Sequence, residues 1–196
     1  MKRLLVIDCV MREGSRTKQL LDAFLLGVDC RVYEIETLKL NEIPLSPLMG
    51  VSYRERDELL ANHDMNHPRF DLAKQFRDAD AIVIAAPYWD MSFPSLLKIY
   101  FENICVDGIT FESTEQGLAG LCHADPLVLL TTRGGFTETG SEDDQATSYI
   151  KALSRLLGFR NPATIGASSM DVWGYDWQKA LKDACDKARA FAASLK

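Results

Sequence analysis

Short apolar runs alternate with longer amphipathic stretches along the whole chain, and this pattern limits the fold more than any other feature. Most of the runs are continuously apolar, which indicates strands buried on both faces, as in a parallel sheet covered by helices. The stretches between them carry apolar residues at helical spacing. The second run alternates instead, so we expect it at an edge of the sheet. The runs are 4–7, 31–35, 81–86, 127–131 and 163–167.

This alternation predicts an α/β fold in three layers, with helices on both faces of a five-stranded parallel sheet and right-handed crossovers. The chain of 196 residues suits one domain, and no internal repeat or linker divides it, so residues 1–196 are expected to form a single domain. Gly158 should end a helix over 143–157. Two stretches, 39–69 and 106–125, break the alternation and are interpreted as insertions.

Composition and charge exclude several classes of protein. A net charge of −6 without a run of lysine and arginine opposes binding to a nucleic acid backbone. No stretch has the roughly 18 apolar residues of a membrane-spanning helix, and Asp8 interrupts the first apolar run too early for a signal peptide. The five cysteines are widely spaced and odd in number, which favours neither disulfides nor zinc. We therefore expect a cytoplasmic protein that binds neither nucleic acid nor membrane.

Ligands of open parallel sheets bind beyond the carboxyl ends of the strands, so the loops after the first, third, fourth and fifth runs form the candidate site. The first loop leads through Ser15, Arg16 and Thr17 into a predicted helix. Free N–H groups at the helix N-terminus, two hydroxyls and a guanidinium favour an anion. The loop lacks both Gly-x-Gly-x-x-Gly and Gly-Lys-Ser/Thr, which leaves a monophosphate. A helix N-cap without any ligand is the alternative.

The other three loops carry aromatic residues and glycines. Residues 87–94 form an aromatic cluster, which suits a planar ligand but also a core or a subunit interface. Residues 131–137 bring Arg133 and two glycines to the same edge, where backbone can approach a ligand closely, although a plain turn also uses glycine. Residues 171–177 add further aromatic side chains, either as a substrate wall or as packing for the last helix.

A specific motif lies between the third and fourth runs, and it consists of Gly108-Ile109-Thr110-Phe111, Thr114-Glu115, Gly117, Gly120 and Leu121. With this motif in its usual place, the chain resembles the FMN-dependent NADH-azoreductases, within the flavodoxin-like group that includes the NAD(P)H:quinone oxidoreductases. The resemblance runs nearly end to end. It implies a flavodoxin-like fold with the strand order 2-1-3-4-5.

The resemblance also implies an FMN site. Residues 15–17 match the family's Ser-x-Ser phosphate loop, residues 87–91 correspond to the loop around the flavin ring, and residues 132–135 correspond to the loop beside it. The implied cofactor-binding residues are Cys9, Ser15, Arg16, Thr17, Pro87, Tyr88, Trp89, Asp90, Met91, Thr132, Arg133, Gly134 and Gly135. The implied substrate-binding residues are Phe111, Trp173 and Tyr175.

Two positions depart from the family's pattern. Asp90 stands where the family has asparagine, and Thr137 stands where a histidine is common. A carboxylate that faces the flavin ring opposes the negative charge of the reduced flavin. We therefore expect Asp90 to lower the flavin's potential if its side chain faces the ring.

Two further features have competing interpretations. His63 and His67 have the i, i+4 spacing of metal ligands on a helix, but Pro68 follows directly and no third ligand is evident, so we predict no metal site. Cys9 is either a reactive thiol near a helix N-terminus or a small buried residue.

The function implied by the resemblance is a two-step, ping-pong transfer of two electrons. Electrons pass from NADH or NADPH to FMN, and then to a quinone or azo compound that occupies the same place. The flavin carries this chemistry, so no catalytic protein residue is predicted. Family members are usually homodimers, and a homodimer is the expected assembly. A flavodoxin-like electron carrier and a relative that has lost FMN are the alternatives left open.

Overall fold

Seven strands, numbered along the chain, make two sheets in the computed structural model, which describes residues 1–196. They are β1 (Lys2–Asp8), β2 (Tyr33–Lys39), β3 (Ala81–Ala85), β4 (Phe111–Thr114), β5 (Gly117–Gly120), β6 (Leu127–Thr132) and β7 (Ala163–Ala167). Five of them pair in parallel in the order β2-β1-β3-β6-β7. The predicted order 2-1-3-4-5 is confirmed, because β6 and β7 are the fourth and fifth strands of this sheet. The alternating strand, β2, lies at the edge as predicted.

Five α-helices lie between the strands and a sixth follows the last one: α1 (Arg16–Leu25), α2 (Gly50–Ala61), α3 (Asp71–Arg77), α4 (Ser95–Ile104), α5 (Gln145–Leu157) and α6 (Trp177–Ala193). On one face of the sheet, α1 and α6 pack with Leu4 and Val6 of β1; on the other face, α3, α4 and α5 pack with Leu5 and Ile7. Both faces of the central strands are therefore buried, as the continuous apolar runs predicted. None of these helices meets both the length and the hydropathy that a membrane crossing requires.

The first insertion contains α2, which the apolar pattern did not predict. The reason is that α2 buries none of its residues, so its sequence has no apolar face. Leu59 and Leu60 pack against the core but are only partly buried, and polar contacts also attach the helix to the rest of the molecule. The guanidinium of Arg56 donates to the carbonyl oxygens of Glu102 and Cys105 at the end of α4, at 3.3 and 2.8 Å. These carbonyls have no partner within their own helix, so Arg56 caps α4.

The second insertion forms the antiparallel hairpin of β4 and β5. Its last residue, Gly120, lies directly against the backbone of Leu157 and Gly158, where a side chain would overlap the chain. The N–H of Cys122 then donates to the carbonyl of Leu157 at 3.1 Å. Because α5 runs antiparallel to the strands, its end at Leu157 lies at the amino edge of the sheet. The hairpin is thus anchored at the edge opposite to the four loops of the candidate site.

Candidate functional site

The loops after β1, β3, β6 and β7 meet at the carboxyl edge of the sheet and enclose a cavity of about 300 Å³. These are the four loops that the sequence predicted. Nine predicted site residues line the cavity: Ser15, Arg16, Thr17, Pro87, Tyr88, Trp89, Thr132, Arg133 and Gly134. The loops that the sequence predicted to carry the ligand site thus enclose a cavity lined by polar and aromatic side chains.

The N-terminus of α1 forms one end of the cavity. Ser15 is the N-cap, and its hydroxyl oxygen accepts from the N–H of Lys18 at 3.4 Å, which is a long hydrogen bond. The hydroxyl of Thr17 lies 2.7 Å from that of Thr132. The N–H groups of Arg16 and Thr17 have no acceptor within the chain. Helix N-termini of this kind favour negative charge, so this end of the cavity is suited to an anion.

Arg16 crosses this end of the cavity and pairs with a carboxylate from the loop after β7. One of its terminal nitrogens lies 2.6 Å from Oδ1 of Asp171. The guanidinium also stacks over the ring of Trp177, with 4.6 Å between the guanidinium carbon and the ring centroid. The pair is open to water, since the side chain of Arg16 is 24% exposed and that of Asp171 is 68% exposed.

Arg133 forms the floor of the other end of the cavity and is almost completely buried. It donates to Oδ2 of Asp144 at 3.1 Å, to the carbonyl of Thr137 at 3.2 Å and to the hydroxyl of Thr139 at 3.3 Å. Its guanidinium carbon lies 4.5 Å from the centroid of the Tyr88 ring. Its Nε is buried and has no acceptor in the chain. A buried donor without a partner is costly, which suits a site that receives a polar ligand atom.

Asp144 holds the loop between β6 and α5 in place. Besides Arg133, it accepts from the N–H of Gly140 at 2.8 Å and from the N–H and hydroxyl of Thr147 at 3.1 and 2.6 Å. Burial opposes ionisation of this carboxyl group, but the hydrogen bonds from Thr147 and Gly140 and the charge of Arg133 outweigh it and hold its pKa below the ordinary value. Asp144 is therefore a buried, ionised N-cap of α5.

The aromatic loop after β3 contains a tight turn. Trp89 and Ser92 exchange backbone hydrogen bonds of 3.1 and 2.8 Å, and both residues between them, Asp90 and Met91, have positive φ angles. Aspartate adopts this conformation readily, whereas it is unusual for methionine. The hydroxyl of Tyr88 donates to the carbonyl of Asp143 at 2.9 Å. Tyr88 is thus fixed between the guanidinium of Arg133 and the loop before α5.

Four predicted cofactor-binding residues do not line the cavity. Asp90 and Met91 project into solvent from the turn, and Gly135 is also exposed outside the cavity. The expected effect of Asp90 on the flavin potential therefore stays a prediction. Cys9 is completely buried in the core, and its N–H donates to the carbonyl of Ala85 at 2.8 Å. Burial and the charge of Asp8 raise the pKa of its thiol to about 12, so the structure favours the packing interpretation of Cys9.

The three predicted substrate-binding residues also lie outside the cavity. Phe111 belongs to the hairpin at the opposite edge of the sheet, where it packs against the core. Trp173 is 99% exposed and Tyr175 is 45% exposed, on the far part of the loop after β7. Neither Trp173 nor Tyr175 lines the cavity of the single chain, and their role in substrate binding stays a prediction.

Four cavity-lining residues were missed: Met11, Arg12, Met170 and Asp171. For Asp171, the sequence contained one indirect indication of a position at the site, namely Gly134. A Cβ atom at Gly134 would overlap the Asp171 carboxylate in its present position, so glycine allows the close approach of the two groups without a rotation of the Asp171 side chain. The N–H of Asp171 donates to the carbonyl of Gly134 at 3.0 Å and fixes this approach.

Comparison with known proteins places the chain in a family. The model of a family described as flavodoxin-like fold matches residues 2–192, and the chain belongs to that family. Among curated relatives, an FMN-dependent NADH:quinone oxidoreductase 2 from Clostridium acetobutylicum is 39% identical over 126 residues, which is 63% of each chain. A protein named FMN-dependent NADH:quinone oxidoreductase from Caldicellulosiruptor saccharolyticus is 34% identical over 154 residues, which cover 71% of this chain and 77% of that one. A protein of the same name from Clostridium perfringens SM101 is 29% identical over 206 positions, which cover 98% of both chains. The match thus spans slightly less than two thirds of the Clostridium acetobutylicum relative.

Solved structures agree on the fold. An azoreductase from Bacillus anthracis Sterne superposes with a TM-score of 0.86 over the full length of both chains, at 20% identity. An FMN-dependent NADH-azoreductase from Bacillus anthracis Ames Ancestor, solved in complex with FMN, gives a TM-score of 0.81 at 21% identity and covers 98% of both chains. At this level of identity the similarity establishes the shared flavodoxin-like fold.

Proposed function

We propose that residues 1–196 form a single FMN-binding domain and that the protein is an FMN-dependent oxidoreductase that uses NADH or NADPH to reduce quinones or azo compounds. The names of the curated relatives support this activity. The observation that carries the proposal is the division of the cavity into two chemically different ends. One end is suited to a phosphate and the other to a flat, hydrogen-bonding ring.

The residues at the phosphate end fit a phosphate monoester. Free N–H groups of Arg16 and Thr17, the hydroxyls of Ser15 and Thr17 and the Arg16 guanidinium can all donate to its oxygens. The single helix N-terminus and the absence of a second phosphate loop suit one phosphate group, as in FMN, rather than a pyrophosphate.

The residues at the other end fit a flavin ring. Tyr88 and Trp89 offer aromatic surface. The buried Nε of Arg133 offers a donor that no protein group uses. When bound, FMN supplies the chemistry of accepting hydride from a nicotinamide and passing electrons to an acceptor. The chain's own residues hold the ring in place, since Tyr88 is itself fixed by Arg133 and by the Asp143 carbonyl.

A cytoplasmic homodimer is part of the proposal. Trp89, Met91, Phe136, Trp173 and Tyr175 all expose large apolar surfaces on loops at the carboxyl edge. Exposed apolar surface of this kind is unfavourable in water and is characteristic of an interface. A second copy of the chain would cover it next to the cavity, which supports a homodimer with its sites near the interface.

Titration of the flavin-free chain with FMN, followed by steady-state kinetics, tests the proposal. We expect saturable FMN binding and turnover of NADH or NADPH with at least one quinone or azo dye. Thr17→Val should weaken FMN binding about tenfold or more, because it removes a hydroxyl that can bond to the phosphate. Thr114→Val is the matched control, since the Thr114 hydroxyl bonds to the Gly117 carbonyl in the hairpin, far from the cavity.

The outcome also separates the two alternatives. FMN binding without turnover of any nicotinamide and acceptor pair would favour an electron carrier. A chain that stays colourless at every FMN concentration would favour a relative that has lost the cofactor and would contradict the proposal.

A further inference from the structure

Arg16 and Asp171 form an ion pair, and both residues line the cavity. Arg16 is the first residue of α1, and Asp171 lies in the loop after β7, so the pair bridges two loops that each line the same cavity. The guanidinium of Arg16 also stacks on the ring of Trp177. The Arg16 cation is therefore held at the anion-binding end of the cavity, in contact with a carboxylate of the chain itself.

Hydrogen bonds of the backbone hold Asp171 in place. Three successive N–H groups of its loop, those of Ser169, Met170 and Asp171, donate to carbonyls in residues 133–135 at 2.7, 3.1 and 3.0 Å. Its carboxylate rests against Gly134. Rotation of its side chain, which is 68% exposed, can separate the carboxylate from Arg16 without a change in the backbone.

A phosphate monoester carries roughly one to two negative charges near neutral pH. Any such group at the N-terminus of α1 competes with the Asp171 carboxylate for the Arg16 guanidinium and is repelled by it as a like charge. A neutral ligand group at the same place neither competes with Asp171 for Arg16 nor is repelled by Asp171 as a like charge. The ion pair therefore discriminates between ligands by their charge at this end of the cavity.

We infer that Asp171 is a specificity-determining residue, which competes with the ligand's phosphate for Arg16 and lowers the affinity of the cavity for phosphate monoesters. The inference rests on the proposed function in taking FMN as the phosphate ligand. It implies that the cofactor is held less firmly than the residues around its phosphate would allow, so that FMN exchanges readily between protein and solution.

Dissociation constants for three probes test this inference: FMN, riboflavin, which lacks the phosphate, and inorganic phosphate. They are measured for the wild-type chain, for Asp171→Asn and for Asp176→Asn. Asp176 is a matched control, because it is an exposed aspartate at the same edge of the sheet that caps α6 and does not line the cavity. Asparagine is an equally good N-cap, so this control keeps its local structure.

We expect Asp171→Asn to bind FMN about tenfold more tightly and inorganic phosphate more tightly as well, with riboflavin affinity unchanged within about twofold. Asp176→Asn should bind all three probes like the wild type. Unchanged or weaker FMN and phosphate binding in Asp171→Asn would overturn the inference, as would an equal gain for riboflavin, which would indicate a general change in the loop. If the wild type binds phosphate but no flavin, the proposed function fails, and the phosphate constants alone decide the role of Asp171.

Discussion

Two arginine–aspartate pairs hold the two ends of the same cavity, and they differ almost completely in their surroundings. Arg16 and Asp171 approach to 2.6 Å, with side chains that are 24% and 68% exposed. Arg133 and Asp144 approach to 3.1 Å, with side chains that are 1% and 0% exposed. The shorter distance belongs to the pair that is open to water. Distance alone therefore says little about which pair matters for the stability of the fold.

The number of further partners explains the difference. The Asp144 carboxylate accepts from Gly140 and Thr147 in addition to Arg133, and Arg133 donates to two more oxygens. Removing one member leaves buried groups without partners, which is costly. Asp171 has only Arg16 as a side-chain partner, and water can replace either group. The buried pair is thus part of the scaffold, whereas the exposed pair can exchange its partner for a ligand.

Asp144→Ala should have the largest effect on stability. We expect the free energy of unfolding to fall by about 3–5 kcal/mol, because the charge of Arg133 stays buried without its partner and α5 loses its N-cap. Urea denaturation followed by circular dichroism measures this change. Loss of the loop before α5 should also free Tyr88, whose hydroxyl bonds to the Asp143 carbonyl.

Asp176→Ala is the control for the loss of an N-cap alone. Asp176 caps α6 by accepting from the N–H of Lys179 at 3.0 Å, but it is exposed and pairs with no arginine. Its replacement should cost about 1 kcal/mol. An equal loss of stability in both variants would show that burial of the Arg133–Asp144 pair adds nothing beyond the cap.

A smaller effect is expected when the same pair is broken by acid. The folded protein holds the pKa of Asp144 below its ordinary value of 3.8, despite its burial, through hydrogen bonds from Thr147 and Gly140 and the charge of Arg133. The unfolded chain therefore binds a proton at a higher pH than the folded one, so the stabilisation is complete above 3.8 and is lost as the pH falls through the lowered pKa. Unfolding free energies measured across this range should fall less steeply in Asp144→Asn than in the wild type. Equal slopes in the two proteins would contradict this assignment.

The fold could be predicted because its signals are local. Continuous apolar runs are a direct consequence of burial on both faces, so the five parallel strands and the edge position of β2 followed from the sequence. The helix α2 could not be found in this way. It buries no residue completely, and besides the partly buried Leu59 and Leu60 it is attached by Arg56, which reaches carbonyls of a helix far away in sequence.

The candidate site could likewise be predicted only in part from the sequence. The four loops were predictable from the ends of the strands, and Ser15, Thr17 and Tyr88 face the cavity as expected. The carboxylates that pair with the arginines were not, because Asp171 is 155 residues from Arg16 in the chain and no local pattern links them. Trp173 is exposed and does not line the cavity of the single chain, so its predicted role as a substrate wall stays a prediction.

The smallest stability effect is expected for Asp171→Asn, and it is the sharpest test of the difference between the two pairs. Both members of the Arg16–Asp171 pair can be hydrated when the other is removed, so the free energy of unfolding should change by only about 0–1 kcal/mol. Arg16 keeps its stacking contact with Trp177 in the variant, which maintains its position. Urea denaturation of Asp171→Asn beside Asp144→Asn measures the contrast directly. If Asp171→Asn proved as destabilising as Asp144→Asn, the exposed pair would also be part of the scaffold, and a ligand could not take over Arg16 without loosening the loop after β7.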